Sequence, residues 1–198
     1  MVDLVSRNVD LFPCSLHCLA AGEEQGRDII LLHGMKFQAA TWEELGTLEI
    51  LADSGMRALA LDMPGFGKSP ACEAEQDNVL ARFVDRETTG RPVLLGPSMG
   101  GRIALEFALN HPDTLSALIL VGAVGVEDNR DRLAEIKLPT LLIWGSEDQI
   151  SPTANSDILL GAIAGAKRVI IEGAPHPCYL DQPETFHGAV RNFVSSLS

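Results

Sequence analysis

Positive charge is scarce in this chain. Fifteen lysines and arginines stand against 27 aspartates and glutamates, for a formal net charge of -12, and the pI is about 4.7. A surface this acidic repels polyanions, which argues against nucleic acid or an anionic membrane as a partner. Its ordinary role is to keep the protein soluble. Long apolar runs are also missing. The longest, around Leu115 to Val126, is broken by Ser116, Gly122 and Gly125 and is too short to span a bilayer. Met1 to Ser15 has neither a basic start nor a continuous apolar stretch, so no secretory signal is expected. The four cysteines, Cys14, Cys18, Cys72 and Cys178, form no C-x-x-C pair and no zinc-ligand spacing. They read as free thiols in a reducing cytoplasm, with pairing expected only if the chain were exported. No repeat, low-complexity segment or Gly/Ser/Pro linker interrupts the sequence.

What remains is an ordinary globular composition, 46% hydrophobic and 21% charged. A chain of 198 residues is expected to form a single domain over 1–198 and to bury roughly 70% of its unfolded surface. Short β-rich runs alternate with helical patterns. The strand candidates are Asp28–Leu32, Arg57–Leu61, Pro92–Leu95, Ala117–Val121, Pro139–Trp144 and Arg168–Ile171. They are continuously apolar, as parallel strands covered on both faces should be. Thr41-Trp42-Glu43-Glu44 reads as a capping box opening a helix that Gly55 closes. Further helices are expected from Glu75 to Asp85, from Pro152 to Ala164, and from Pro183, which aligns Phe186, Val190, Phe193, Val194 and Leu197 on one face. Leu4 to Leu19 reads as an edge hairpin, in which Pro13 suits an edge or a turn and not a central strand. Repeated βα units predict an α/β fold, a doubly wound and mostly parallel sheet with helices on both faces. Only about a dozen residues separate Val121 from Pro139, a normal connection length with no room for a lid domain.

Gly96-Pro97-Ser98-Met99-Gly100 lies between a strand candidate and a helical pattern carrying Ile103 and Phe107 on one face. Strand, tight turn and helix make the setting in which G-x-S-x-G becomes a nucleophile elbow. An acid and a histidine follow, each just beyond a strand-like run, in the order Ser98, Asp148, His176. His176 would take the serine proton, and Asp148 would hold the imidazole in the required tautomer. Glu147 is adjacent, but neighbouring side chains on a turn point apart, and the motif position favours Asp148. The oxyanion would be met by the backbone N–H groups of Met99, directly after the nucleophile, and of Met35, in the turn after the first parallel strand. His33, Asp62, Ser98, Asp148 and His176 all follow strand ends, where ligands bind in such sheets.

Other residues read as structural. Gly65-Phe66-Gly67-Lys68-Ser69 resembles the end of a P-loop, but the leading glycine position holds Asp62. Asp62 is expected to tie down that turn, and His33 to make a hydrogen bond near the oxyanion loop. No clustered partner suggests a metal at His33. His111 and His187 read as helix-end or helix-surface residues, His17 as solvent-facing on the hairpin, and Cys178 as a small buried residue.

From Asp28 to Ser69, with Leu31-Leu32-His33-Gly34-Met35 and Asp62-Met63-Pro64-Gly65-Phe66-Gly67-Lys68-Ser69, the chain resembles the α/β-hydrolase superfamily. Trp42-Glu43-Glu44-Leu45-Gly46-Thr47-Leu48 and Gly173-Ala174-Pro175-His176-Pro177-Cys178-Tyr179-Leu180-Asp181-Gln182-Pro183-Glu184 are similar to its small lidless subfamily, α/β-hydrolase domain-containing protein fourteen. The resemblance implies Ser98, Asp148 and His176 as a triad, and short-chain esterase or acyl-transfer activity without a cofactor. It also implies a link to removal of acetyl groups from lysine side chains. The expected reading is a cytoplasmic serine hydrolase acting on small acyl esters, as a monomer or weak homo-oligomer. Acyl transfer, lysine deacylation and peracid formation are alternatives on the same site. A triad-bearing binding protein with negligible turnover is the alternative of another class.

Overall fold

The computed structural model describes residues 3–197. Its sheet has eight strands in the spatial order β1-β2-β4-β3-β5-β6-β7-β8. These are β1 (Val5–Leu11), β2 (Cys14–Ala21), β3 (Arg27–Leu31), β4 (Met56–Leu61), β5 (Val93–Pro97), β6 (Ala117–Val121), β7 (Thr140–Gly145) and β8 (Lys167–Ile171). The last six strands are mutually parallel. The expected hairpin is β1 and β2, and β2 joins it antiparallel to β4.

Continuous apolar strands are explained by what covers them. Side chains alternate across the pleat, so Ile30, Leu94, Leu118, Leu120 and Leu142 enter one core while Ile29, Leu31, Val93, Ile119 and Ile143 enter the other. The first face is covered by α3 (Gln76–Glu87), α4 (Met99–Asn110) and α5 (Thr153–Ala162). The second is covered by α1 (Ala39–Glu44), α2 (Thr47–Asp53), α6 (Cys178–Asp181) and α7 (Pro183–Ser195). Trp42 of α1 shows how the second layer is keyed. Its indole N–H donates to the Leu32 carbonyl at 3.0 Å, and its ring lies 5.1 Å from Tyr179 and 6.0 Å from Phe186. Truncating a fully buried ring of this kind costs about 3–5 kcal/mol.

Several sequence expectations need correction. The helix after residue 38 begins earlier than the capping box implied. Gln38 is its N-cap, and Thr41 sits three residues in, accepting from the Gln38 backbone N–H. Gly46, in the left-handed region at φ 71°, then divides α1 from α2, while Gly55 closes α2 as expected. Cys14 and Cys72 are joined in a disulfide, leaving Cys18 and Cys178 as buried free thiols. The pairing removes those two residues from the argument for a reducing compartment. His187, expected on a helix surface, is buried in α7 and bonded to Thr47 Oγ1 at 2.9 Å.

From β3 the chain moves to β4 on one side, then returns to β5 on the other. The carboxyl ends of β3 and β5 therefore flank a switch point, the crevice where open α/β sheets bind ligands. Between β6 and β7 lies one 3₁₀ helix, Glu127–Glu135, and no lid domain stands over the crevice among the described residues.

Candidate active site

Ser98 directly follows β5 and caps α4 with φ 51° and ψ -113°. It is the one non-glycine residue at positive φ among those described, a conformation that costs on the order of 1–3 kcal/mol and needs surrounding structure to hold it. Its N–H donates to the Val121 carbonyl at 2.9 Å, and its own carbonyl accepts from Arg102 N at 3.0 Å. The elbow is so tight that a Cβ at Gly96 would lie 2.1 Å from the Gly100 carbonyl oxygen. Glycine is thus required for the turn to close.

The structure brings the three sequence-predicted side chains together. Ser98 Oγ lies 2.8 Å from His176 Nε2. His176 Nδ1 lies 2.9 and 2.8 Å from the two oxygens of Asp148. Asp148 is 3% exposed, and its Oδ1 also accepts from Ile150 N at 2.9 Å and Ser151 N at 2.8 Å. A carboxylate only accepts, so Nδ1 carries the imidazole proton and Nε2 is left to accept from the Ser98 hydroxyl. Glu147 instead points into solvent, while its backbone N–H donates to the Ala174 carbonyl at 3.0 Å. Gly122, at the end of β6, makes room for the pair. A Cβ there would sit 3.0 Å from Asp148 Oδ2 and 3.4 Å from the His176 ring.

Met35 and Met99 both line the crevice beside Ser98, and neither backbone N–H is engaged among the described residues. Met99 opens α4, where unpaired N–H groups and the helix dipole favour negative charge. The Met35 amide is aimed by His33. Buried His33 donates from Nδ1 to the Gly34 carbonyl at 2.8 Å and accepts at Nε2 from Met63 N at 3.0 Å. In a trans peptide the C=O and the following N–H point in opposite directions. Fixing the Gly34 oxygen toward His33 and Phe37 N therefore turns the Met35 N–H the other way. Burial depresses the His33 pKa, which suits a ring that must stay neutral to accept at Nε2. Asp62 ties down the Gly-rich turn as expected, accepting from Lys68 N at 2.9 Å.

The crevice has a volume of about 440 Å³ and is mainly apolar, with Phe37, Val124, Ile150 and Tyr179 in its walls and Lys36 at its mouth. Met35 and Ile150 stand at the rim, each 67% exposed. Ile150 and Tyr179 were not legible as wall residues, because Ile150 reaches the crevice from a bend and Tyr179 from the short helix α6. A larger hollow of about 520 Å³ opens at the amino ends of the strands. There Arg7 and Arg86 pair with Glu87, and Arg57 pairs with Asp28. Among the described residues, no group of three or more His, Cys, Asp or Glu is placed to hold a metal ion, and no helix is long and apolar enough to cross a membrane.

The model of the alpha/beta hydrolase fold family matches residues 29–134. The chain belongs to the α/β-hydrolase family. Among curated members, Protein ABHD14A of Danio rerio is 40% identical over 175 residues, covering 85% of this chain and 64% of that protein. This hydrolase-fold chain thus spans about two thirds of the length of that relative. The human protein named "Putative protein-lysine deacylase ABHD14B" is 35% identical over 185 residues, 89% of this chain and 87% of that one. Among solved structures, a CIB-like hydrolase from Thermoplasma acidophilum superposes with a TM-score of 0.93 at 27% identity, over 98% of this chain and 99% of that one.

Proposed function

We propose that this α/β-hydrolase is a serine hydrolase that cleaves short-chain acyl esters or activated amides through an acyl-enzyme. The observation that carries the reading is the unbroken series Ser98 Oγ, His176 Nε2, His176 Nδ1, Asp148, with contacts of 2.8 to 2.9 Å. Ser98 attacks the carbonyl carbon while His176 takes its proton and Asp148 steadies the imidazolium. The tetrahedral oxyanion is met by the Met35 and Met99 N–H groups. His176 then protonates the leaving group, and water, activated by the same ring, releases the acid. No cofactor enters these steps.

The substrate class follows from the crevice. Phe37, Val124, Ile150 and Tyr179 enclose an acyl group only near Ser98. Each buried methylene gains about 0.8 kcal/mol, and carbons beyond the rim gain nothing. The leaving group emerges between Met35 and Ile150 into solvent, where few contacts discriminate among alcohols. The same opening admits the acylated lysine side chain of a protein, the second reading, which the human relative's name supports. That reaction differs only in its amine leaving group.

A fluorophosphonate probe tests the nucleophile, and p-nitrophenyl esters from acetate to laurate test the pocket. Ser98 should be labelled rapidly in native protein, and kcat/KM should stop rising at about eight carbons. An unlabelled Ser98 would favour a binding role over turnover. A kcat/KM that climbs through laurate would require a long channel in place of the short crevice.

A further inference from the structure

The hairpin holds a second alignment of the same three residue types, remote in sequence from the first. His17 was expected to face solvent but is 4% exposed. Its Nδ1 lies 2.8 Å from Asp62 Oδ2, and its Nε2 lies 2.8 Å from the hydroxyl of Ser6. Asp62 is itself buried, and its oxygens also accept from Ala39 N at 2.6 Å and Lys68 N at 2.9 Å. Three donors converging on two oxygens suit an acceptor-only carboxylate. As in the crevice, Nδ1 must then carry the imidazole proton, and neutral Nε2 accepts from the Ser6 hydroxyl. The ring is locked in place on both sides of its backbone. His17 N donates to Ser69 Oγ at 2.8 Å, and Asp62 N donates to the His17 carbonyl at 3.0 Å. Ser6, by contrast, is an exposed residue of the edge strand β1, and its bond to His17 is only part-buried.

We propose that Ser6, His17 and Asp62 form a second relay that makes Ser6 an acyl-accepting hydroxyl, a site of covalent self-modification by activated acyl esters. In the step, His17 Nε2 takes the Ser6 proton as Oγ bonds to the carbonyl carbon. The bond to the leaving oxygen breaks, and the proton passes to that oxygen. The products are O-acyl-Ser6 and a free alcohol, with Asp62 unchanged and holding the imidazolium in between. Ser6 lies in a regular strand and not at a helix start, so it lacks the N–H groups that α4 presents behind Ser98. Acylation at Ser6 is therefore slow beside Ser98, and the ester persists where acyl-Ser98 is hydrolysed. The inference does not depend on Ser98 being active.

The test uses full-length Ser98→Ala protein with excess p-nitrophenyl acetate, followed by intact and peptide mass spectrometry. One acetyl adduct is expected, on the peptide containing Ser6, and none in the Ser98→Ala/Ser6→Ala protein. Ser54 and Ser196 are internal controls, since their hydroxyls donate only to backbone carbonyls. Ser6 should react on the order of 10²-fold faster than they do, the usual yield of a positioned general base. Unfolding in urea or His17→Gln should each remove that advantage. Folding of the His17→Gln protein is checked separately by circular dichroism, and the urea arm carries the same comparison if it fails to fold. No adduct, an adduct spread evenly over serines, or a rate unchanged by unfolding would overturn the proposal.

Discussion

The indole N–H of Trp144 donates to the backbone carbonyl of Ser151 at 2.8 Å, folding the turn that bears Asp148 back onto the end of its own strand. Ser151 completes the clasp by giving its N–H to Asp148 and its hydroxyl to the Ala123 carbonyl at 2.7 Å. Trp144→Phe keeps an aromatic ring but leaves that carbonyl buried without its donor. Such a loss costs about 1–3 kcal/mol, which for a chain of this size lowers Tm by about 2–4 °C per kcal/mol. Hydrolysis should slow as well, because the acid turn loosens. An unchanged Tm would mean that water or another donor replaces the indole.

The relay at Ser98 should behave as one unit. Ser98→Ala and His176→Ala should each lower kcat on the order of 10⁴-fold or more, and the double variant should lose little beyond either. Asp148→Asn should cost about 10⁴-fold with the fold intact, since an amide favours the wrong tautomer. Glu147→Gln should be nearly silent. Steady-state kinetics on one short ester decide all four. Multiplying losses, or a sensitive Glu147, would unseat the assignment.

Buried imidazoles should make the fold acid-sensitive. Burial holds His33 and His187 below their ordinary value of 6.5. Between that value and the depressed folded ones, the unfolded chain binds more protons, so stability rises with pH. Their contribution is fully present above about pH 6.5 and is lost as pH falls below it. Thermal melts should show Tm dropping across that window, less steeply in His187→Gln. A flat profile would mean that neither ring stays neutral in the fold.

Thiol chemistry should separate the cysteines into two classes. Burial pushes the thiols of Cys18 and Cys178 up to about 12, so neither supplies thiolate near neutral pH. Ellman's reagent should find no reactive thiol in native protein. Unfolding without reductant should reveal two, and reduction should raise the count to four. Four without reduction would mean that Cys14 and Cys72 are not paired.

The parallel strands were legible because their apolar residues run consecutively rather than alternating with polar ones, and the crevice because its residues follow strand ends. The rest depended on contacts that sequence spacing does not encode. Gly46 lies inside a helical pattern, where one glycine can be tolerated or can end the helix. His17 alternates with apolar neighbours as a surface residue would, and only Asp62, 45 positions away, explains its burial. Cys14 and Cys72 are separated by 58 positions, a distance no motif links. Ile150 and Tyr179 became walls only through the bend and the short helix α6 that carry them.

β8 is the edge strand of the sheet opposite β1, pairs with β7 alone, and leads directly into the loop that delivers His176. A chain being synthesised therefore has its elbow in place while, on the proposed mechanism, Ser98 still lacks an acceptor for its proton. The hydroxyl gains one only when β8 and then α6 and α7 dock. On the proposed mechanism, a break in the chain between β8 and α7, or fraying of α7, would silence the serine while leaving the elbow itself untouched.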